Sequence, residues 1–386
     1  MPNALLTGRF LAITAVNFCL FLIVTAWNFL PVFVVGTGGS EADAGVLMGS
    51  MGITSLGSLP LLAPLIDRYG RNPFIRTGIL GVGLGNCGFL LFPEYSPLMI
   101  LIRLFQGLAF AACFTACATA VVDSLPPHRR AQGIGLFGIS GSLAMAVGPY
   151  VAEMFILRWG FNSYFALLVC FGIVGILPAL LVAESRTPLS RRRQVQGFFS
   201  MAIHEGHVSM MLMAAVFGAG FSALLTFFPL HAKQVGITSG PFFVSYGVAL
   251  IGVRIFLGRL ADNLNRDGVI FACLLGFAIT LAAAAGVSLP RETLLMGILF
   301  GAAQALSYPA MMASMVDRSR DDNRAVVVSL FTGSFGIGIH LSSFLWGAIA
   351  NLRGLSFMFS SAGVMILCAA LISAATYFIR RSRERS

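Results

Sequence analysis

Acids and arginines recur in this chain in short groups, and their spacing repeats. Asp67-Arg68-Tyr69-Gly70-Arg71 follows one apolar run. Gly258-Arg259-Leu260-Ala261-Asp262, with Arg266 behind it, follows another, and the two aspartates lie 195 residues apart. Asp123 closes a further run ahead of Arg129 and Arg130. Asp317 closes its counterpart ahead of Arg318, Arg320 and Arg324, at an offset of 194. Such groups support reversible ion pairing rather than bond making: Arg71 with Asp123 in one half, Arg266 with Asp317 in the other. An exposed pair contributes about 0–1 kcal/mol, so several together bias a two-state equilibrium without freezing it.

Other polar residues stand inside apolar runs. Arg103 and Arg254 are charges in surroundings where a charge is costly and faces a cavity or a partner. Arg254 has two readings: it binds an anionic group of a substrate, or it reaches inward and braces Asp317. Asn17, Asn28, Gln106, Gln304 and Tyr308 either hydrogen-bond a substrate or tie helices together. Glu153 is the acid placed furthest along an apolar run, and His340 has an unperturbed pKa suited to carrying a proton. No catalytic constellation accompanies them: there is no phosphate-loop lysine, no zinc-spaced histidine pair and no nucleophile elbow. Gly81-Val82-Gly83-Leu84-Gly85 imitates a nucleotide loop, but it lies inside an apolar run with no strand before it, so close helix packing accounts for it. Seven cysteines, odd in number and all within apolar segments, read as packing residues. The expectation is a protein that is not an enzyme and needs no cofactor or metal.

The elements that position these residues follow from composition. Charged residues make up 10% and hydrophobic ones 57%, with a mean hydropathy of +0.88. A soluble domain has about 25% charged residues. The net charge of +10 comes from arginine clusters between apolar runs, with Lys233 the only lysine. That pattern fits anionic lipid headgroups and not nucleic acid. Uncharged stretches at 10–35, 44–66, 76–92, 97–122, 131–154, 161–183, 207–231, 241–261, 269–289, 293–316, 325–350 and 355–378 each suit a membrane helix. The first is too long for a cleaved leader and reads as a retained span. With both termini in the cytoplasm, 19 of the 25 basic residues face inward, four face outward, and Arg103 and Arg254 are embedded. That asymmetry is the positive-inside pattern. The expected fold is all-α: twelve transmembrane helices in two pseudo-symmetric six-helix bundles, 1–184 and 207–386, joined by a cytoplasmic linker at 185–206. The functional site is expected between the halves.

On these residues the chain resembles the major facilitator superfamily. That family's loop motif, Gly-x-x-x-Asp-Arg-x-Gly-Arg-Arg/Lys, appears as Ala63-x-x-x-Asp67-Arg68-Tyr69-Gly70-Arg71-Asn72. Its echo is Gly258-x-x-x-Asp262, with Asn265 where glycine is usual and Arg266 in place. The fourth-span motif Arg-x-x-Gln-Gly is intact as Arg103-Leu104-Phe105-Gln106-Gly107. The exporters' fifth-span motif is partial, matching at Gly135, Gly148 and Pro149. The resemblance implies a secondary transporter working by alternating access. Asp67, Arg68, Gly70, Arg71, Asp123, Gly258, Asp262, Arg266 and Asp317 would gate it. Arg103 would serve proton coupling or substrate, with snorkelling beside Gln106 as the alternative. The first, fourth, seventh and tenth spans would line the cavity. The expected activity is proton-coupled efflux of an amphiphilic molecule by a monomer in a bacterial inner membrane. The alternatives are an importer or facilitator of a small metabolite, and a membrane receptor that does not transport.

Overall fold

A computed structural model describes residues 6–126, 129–182, 207–257, 265–319 and 324–383. All regular structure among them is helical. The chain divides into two compact units, 1–193 and 194–386. The linker at 185–206, Gly258 and Asp262 lie outside the described residues.

In the first unit, α1 (Gly8–Ala26) starts where the Thr7 hydroxyl accepts the Phe10 amide at 3.2 Å, satisfying one of the open donors of a helix start. A 3₁₀ turn (Trp27–Phe29) passes the chain to α2 (Leu30–Gly36), so the first span is interrupted rather than straight. Ser40 and Asp43 form a reciprocal cap on α3 (Glu41–Gly57). The following α4 (Leu59–Tyr69) is bent from α3 by 51°. Pro60 and Pro64 explain the bend, since proline lacks an amide hydrogen and its ring crowds the preceding turn. Gly70 joins α4 to α5 (Arg71–Leu84) at φ 90°, a conformation that glycine adopts without strain. A turn leads into α6 (Cys87–Leu90), so the third span is a short helix plus one turn instead of the continuous 76–92 stretch. Next come α7 (Met99–Ser124) and α8 (Arg130–Leu181). At 1.5 Å per residue α8 would reach about 78 Å if straight, more than twice a hydrocarbon core. Gly160, at φ 79° and ψ −177°, breaks it into two arms.

The second unit comprises α9 (Val208–Gln234), α10 (Gly240–Phe256), α11 (Arg266–Gly286), α12 (Pro290–Val316), α13 (Arg324–Arg353) and α14 (Leu355–Arg383). Asn265 caps α11 by accepting the Asp267 and Gly268 amides. Among the described residues eight helices are long and apolar enough to cross a membrane, and the bent α3–α4 pair makes a ninth. The second arm of α8 and the shorter α5–α6 and α10 segments complete twelve traverses.

The packing repeats along with the sequence. The α1–α8, α3–α7, α5–α7 and α5–α8 pairs of the first unit correspond to α9–α13, α10–α12, α11–α12 and α11–α14 of the second. Small residues allow these helices to approach. A Cβ on Gly83 would lie 2.6 Å from the Gly172 Cα, which is why the glycine run of α5 packs against the second arm of α8. Leu101, Leu157, Leu177, Val248, Leu295 and Ile372 are each more than half exposed. An apolar surface this extensive belongs against lipid.

Tyr95, in the segment ahead of α7, ties that end of the first unit. Its phenol donates to Asp43 Oδ1 at 3.2 Å, and its amide donates to Thr37 Oγ1 at 3.1 Å. Partial burial, then the Asp43 charge and hydrogen bond, push the phenol up to about 12. The neutral donor's contribution is therefore complete below an unfolded value of about 10 and fades as pH rises from there to about 12. A difference titration of wild type against Tyr95→Phe is expected to show a phenol ionising near 12, moved downward by Asp43→Asn. Ionisation near 10 in the wild type would refute this account of the tie.

Candidate functional site

The duplicated aspartate–arginine groups are assembled at helix ends. Arg71, the first residue of α5, is buried, with Nη2 at 3.0 Å from Asp123 Oδ2 and 3.9 Å from Asp67 Oδ1. Asp67 is more open than Asp123. Arg68 is exposed and lies over the Tyr69 ring at 5.3 Å. Asn72, which replaces the basic residue of the family pattern, donates to the Val182 carbonyl at 2.6 Å and ties α5 to the end of α8. In the second unit Arg266 and Asp317 form an ion pair, and Arg318 Nη2 lies 4.0 Å from Asp267 Oδ1. The two ion pairs thus differ in burial: Arg71 is nearly enclosed, while Arg266 and Asp317 are 43% and 58% exposed. Solvent screens the second more strongly. Asp317 is engaged by Arg266 and not by Arg254.

Arg103 is the fifth residue of α7, about 30 Å along the helix from its C-terminal end. It is 1% exposed and does not snorkel. Its own helix gives it no support, because the positive end of the helix dipole is there. Support comes from neighbours. Nε donates to the Leu47 carbonyl at 3.3 Å, Nη1 to Gln106 Oε1 at 3.0 Å, and Nη2 approaches the Met51 sulfur at 3.3 Å. The guanidinium lies over the Trp27 ring at 4.3 Å, a favourable placement for a desolvated cation. Gln106 Nε2 donates to Asn86 Oδ1 at 3.3 Å, and that oxygen also accepts the Trp27 indole at 2.9 Å. Among the described residues no carboxylate pairs with Arg103. The arrangement is a closed polar network around one buried charge. Trp27 and Asn86 are not conspicuous in the sequence; a lone amide in an otherwise apolar third span is the signal that marks Asn86.

A second polar cluster lies within the second unit. Arg254 occupies the last turn of α10, half-buried, within electrostatic range of the Tyr246 and Tyr308 phenols. Tyr246 donates to Gln304 Oε1 at 2.8 Å. The Tyr308 and Thr332 hydroxyls are 3.4 Å apart, and the Tyr308 ring meets Phe331 and Phe335 edge-on at 5.2 Å each. Phe217 and Phe221 are buried in the adjoining aromatic stack. Tyr246 and Thr332 emerge only from the structure, because nothing in their local sequence distinguishes them.

The remaining candidates are dispersed. Asn17 is buried and donates to Ser140 Oγ at 2.8 Å, which ties α1 to α8. Asn28 is half-buried in the 3₁₀ turn. Glu153 is half-buried on the first arm of α8 and His340 half-buried on α13, in different units. No group of three metal-ligating side chains occurs among the described residues. A groove of about 410 Å³ opens between α11 and α12 around Glu292, Leu295 and Met296. It is about 24 Å along α12 from Tyr308 and touches none of these clusters.

A family model for the Major Facilitator Superfamily matches residues 10–267 and 242–386, nearly the whole chain. The chain belongs to the major facilitator superfamily. Relatives include a staphylopine export protein of Staphylococcus aureus, 22% identical over 89% of this chain and 90% of that protein. Another is multidrug resistance protein 2 of Bacillus subtilis, 26% identical over 65% of this chain and 66% of its own. Among solved structures, the nucleoside transporter NupG superposes with a TM-score of 0.79 at 13% identity, over 96% of this chain and 99% of that one. As a major facilitator protein the chain is a multi-pass membrane transporter of small molecules, with the all-helical fold expected of twelve spans.

Proposed function

We propose that this transporter exports a small amphiphilic molecule across a bacterial inner membrane by alternating access, in exchange for protons, as a monomer with both termini cytoplasmic. What carries the export reading is the near full-length likeness to an export protein, alongside relatives named for multidrug resistance. In this reading Asp67, Arg68, Gly70, Arg71 and Asp123, with Gly258, Asp262, Arg266 and Asp317, latch the inner face. Arg103 is the charge whose surroundings respond to protonation, with Glu153 and His340 as carriers. Arg254, Gln304 and Tyr308 contact the substrate. Asn17 and Gln106 hold the helices that support them.

A second reading, facilitated passage without protons, is favoured by one observation. No acid of the fifteen lies deeper than about two turns from the end of an apolar run. Purified protein in liposomes under an imposed pH gradient separates the two. Substrate-evoked proton movement is expected from the exporter, and exchange indifferent to pH would replace that reading with the facilitator. Specific binding of a partner protein without any flux would make it a receptor.

The latches give a graded expectation. Asp123→Asn removes the nearest carboxylate from a nearly enclosed arginine, whereas Asp317→Asn acts on a pair open to water. The first substitution is expected to slow transport roughly 10-fold and the second less than about 3-fold, because screening weakens exposed pairs. Initial rates in proteoliposomes measure this, and the reverse order would contradict the burial argument.

A further inference from the structure

The duplicated chain repeats its helix packing but builds the polar network around Arg103 only once. At an offset of 194, Gly301 stands where Gly107 does, and each lets a neighbouring helix approach closely. The residues around them do not repeat. At the same offset Gly297 takes the place of Arg103, Phe300 that of Gln106, Thr280 that of Asn86 and Phe221 that of Trp27. In the second unit Phe300 meets Phe221, Phe242, Phe277 and Tyr246 at ring-centroid distances of 4.9–6.1 Å. Thr280 turns its hydroxyl back onto the Gly276 carbonyl at 2.9 Å. Corresponding helices thus close over an aromatic stack in one unit and over a desolvated cation in the other. The packing does not require the cation, and burying one is costly.

The network has a direction. Asn86 Nδ2 donates to the Val82 and Gly83 carbonyls in the last turn of α5, at 2.9 and 3.0 Å. Only the NH₂ end of an amide can do so, and Oδ1 must then point away as an acceptor. Both of its lone pairs are used, by the Trp27 indole at 2.9 Å and by Gln106 Nε2 at 3.3 Å. Gln106 is left to offer Oε1 to Arg103 Nη1, at 3.0 Å. The end of α5 therefore decides which atom of Gln106 meets the cation. Reversed, that amide would set N–H donors against a guanidinium that has no lone pair to accept them. Trp27 acts twice. Asn86 holds its N–H, and its ring centroid lies 4.3 Å from the guanidinium carbon. It also opens the 3₁₀ turn that interrupts the first span, so a bend at that turn moves ring and N–H together.

We propose that Asn86 and Trp27 are positioning residues for Arg103: Asn86 fixes the sense of the Gln106 amide, and Trp27, at the break of the first span, holds the guanidinium through its ring. This deepens the export reading and rests on it only for the consequence to transport. The hold itself is measurable without a substrate.

The test is a pair of double-mutant cycles on the full-length protein in detergent, read as apparent unfolding midpoints. Asn86→Thr copies the second unit. It strips the indole N–H and the Gln106 NH₂ of their acceptor while Arg103 still claims Oε1, and should lower the midpoint by roughly 4–8 °C. In an Arg103→Met background the Gln106 carbonyl is released and can turn to the indole. The same substitution should then cost at most about half as much. Trp27→Leu is expected to cost more than Trp27→Phe, which keeps a ring under the cation, and that gap should narrow in Arg103→Met. With Trp159→Phe and Trp346→Phe the Trp27 indole is the only one left, and its emission should shift on Arg103→Met. Equal losses from Asn86→Thr in the two backgrounds, an unchanged gap at Trp27, or unmoved indole emission would each overturn the proposal, because ordinary helix ties behave that way. Should Asn86→Thr accumulate in neither background, the Trp27 cycle and the emission decide alone. Wild-type transport by folded Arg103→Met would remove Arg103 from the export reading and leave the positioning assignment standing. Additive losses beside a transport-dead Arg103→Met would do the reverse.

Discussion

Arg103→Met is expected to leave the protein folded and to reduce proton-driven transport at least 100-fold. The two halves of this prediction have different physical origins. Arg103 is 1% exposed and lacks a carboxylate partner among the described residues. Its burial is therefore a large unfavourable term, opposed by the Leu47 carbonyl, the Gln106 amide, the Met51 sulfur and the Trp27 ring. Exchanging a buried ion for an apolar side chain of similar length removes both sides of that balance, and such exchanges are often neutral in stability or better. The midpoint of thermal unfolding should move by only a few degrees. Transport should not survive, because a state-dependent proton response needs a charge in that network, and methionine supplies none. Arg103→Lys is expected to fail as well. An ammonium cannot reach a backbone carbonyl and an amide oxygen through a planar fork while lying flat over an indole. Initial rates under a pH gradient, read beside thermal unfolding, check both parts. A folded methionine variant with wild-type rates would dismiss Arg103 as a working residue.

Gly107→Val and Gly301→Val should each destabilise the protein by about 3 kcal/mol or prevent its accumulation in the membrane. A Cβ on Gly107 would collide with the Met51 carbonyl oxygen and Thr54 Oγ1. One on Gly301 would collide with the Tyr246 carbonyl oxygen and lie 2.9 Å from the Ala249 Cβ. Backbone atoms of a packed helix cannot swing aside, so α7 would have to lift from α3, and α12 from α10. Overpacking of this kind costs about 1–3 kcal/mol, occasionally more. The two glycines are 194 residues apart, and their contacts Met51 and Tyr246 are 195 apart, so one close approach is built twice. Gly135→Ala is the control. Nothing lies within 4 Å of a Cβ there, and replacing an exposed helical glycine by alanine should be neutral or stabilising by up to about 1 kcal/mol. Denaturation of the three purified variants in detergent measures the series. A Gly301→Val protein as stable as Gly135→Ala would show that the α10–α12 contact is looser than described.

Much of this architecture is legible in the order of residues. A bilayer admits few backbone solutions, so long uncharged runs declare themselves as helices. The duplicated aspartate–arginine groups place the pairing partners at matching ends, and both Arg71–Asp123 and Arg266–Asp317 come together in the structure. Local interruptions are harder to read. The 3₁₀ turn at Trp27 and the shortened third span depend on which neighbouring helix a turn packs against, and apolar composition does not record that.

The sequence by itself determined the helical class, the twofold repetition and the positions of the charged groups, because lipid solvation and charge burial act on each residue with large, local free energies. Tertiary structure alone decided which polar residues meet. Asn17 became a bolt between α1 and α8, Gln106 a link from Arg103 to Asn86, and Tyr308 a neighbour of Thr332. A polar side chain in a membrane helix has several acceptable partners of similar energy. The choice among them is made by the rotation and approach of whole helices, which no single stretch of residues specifies.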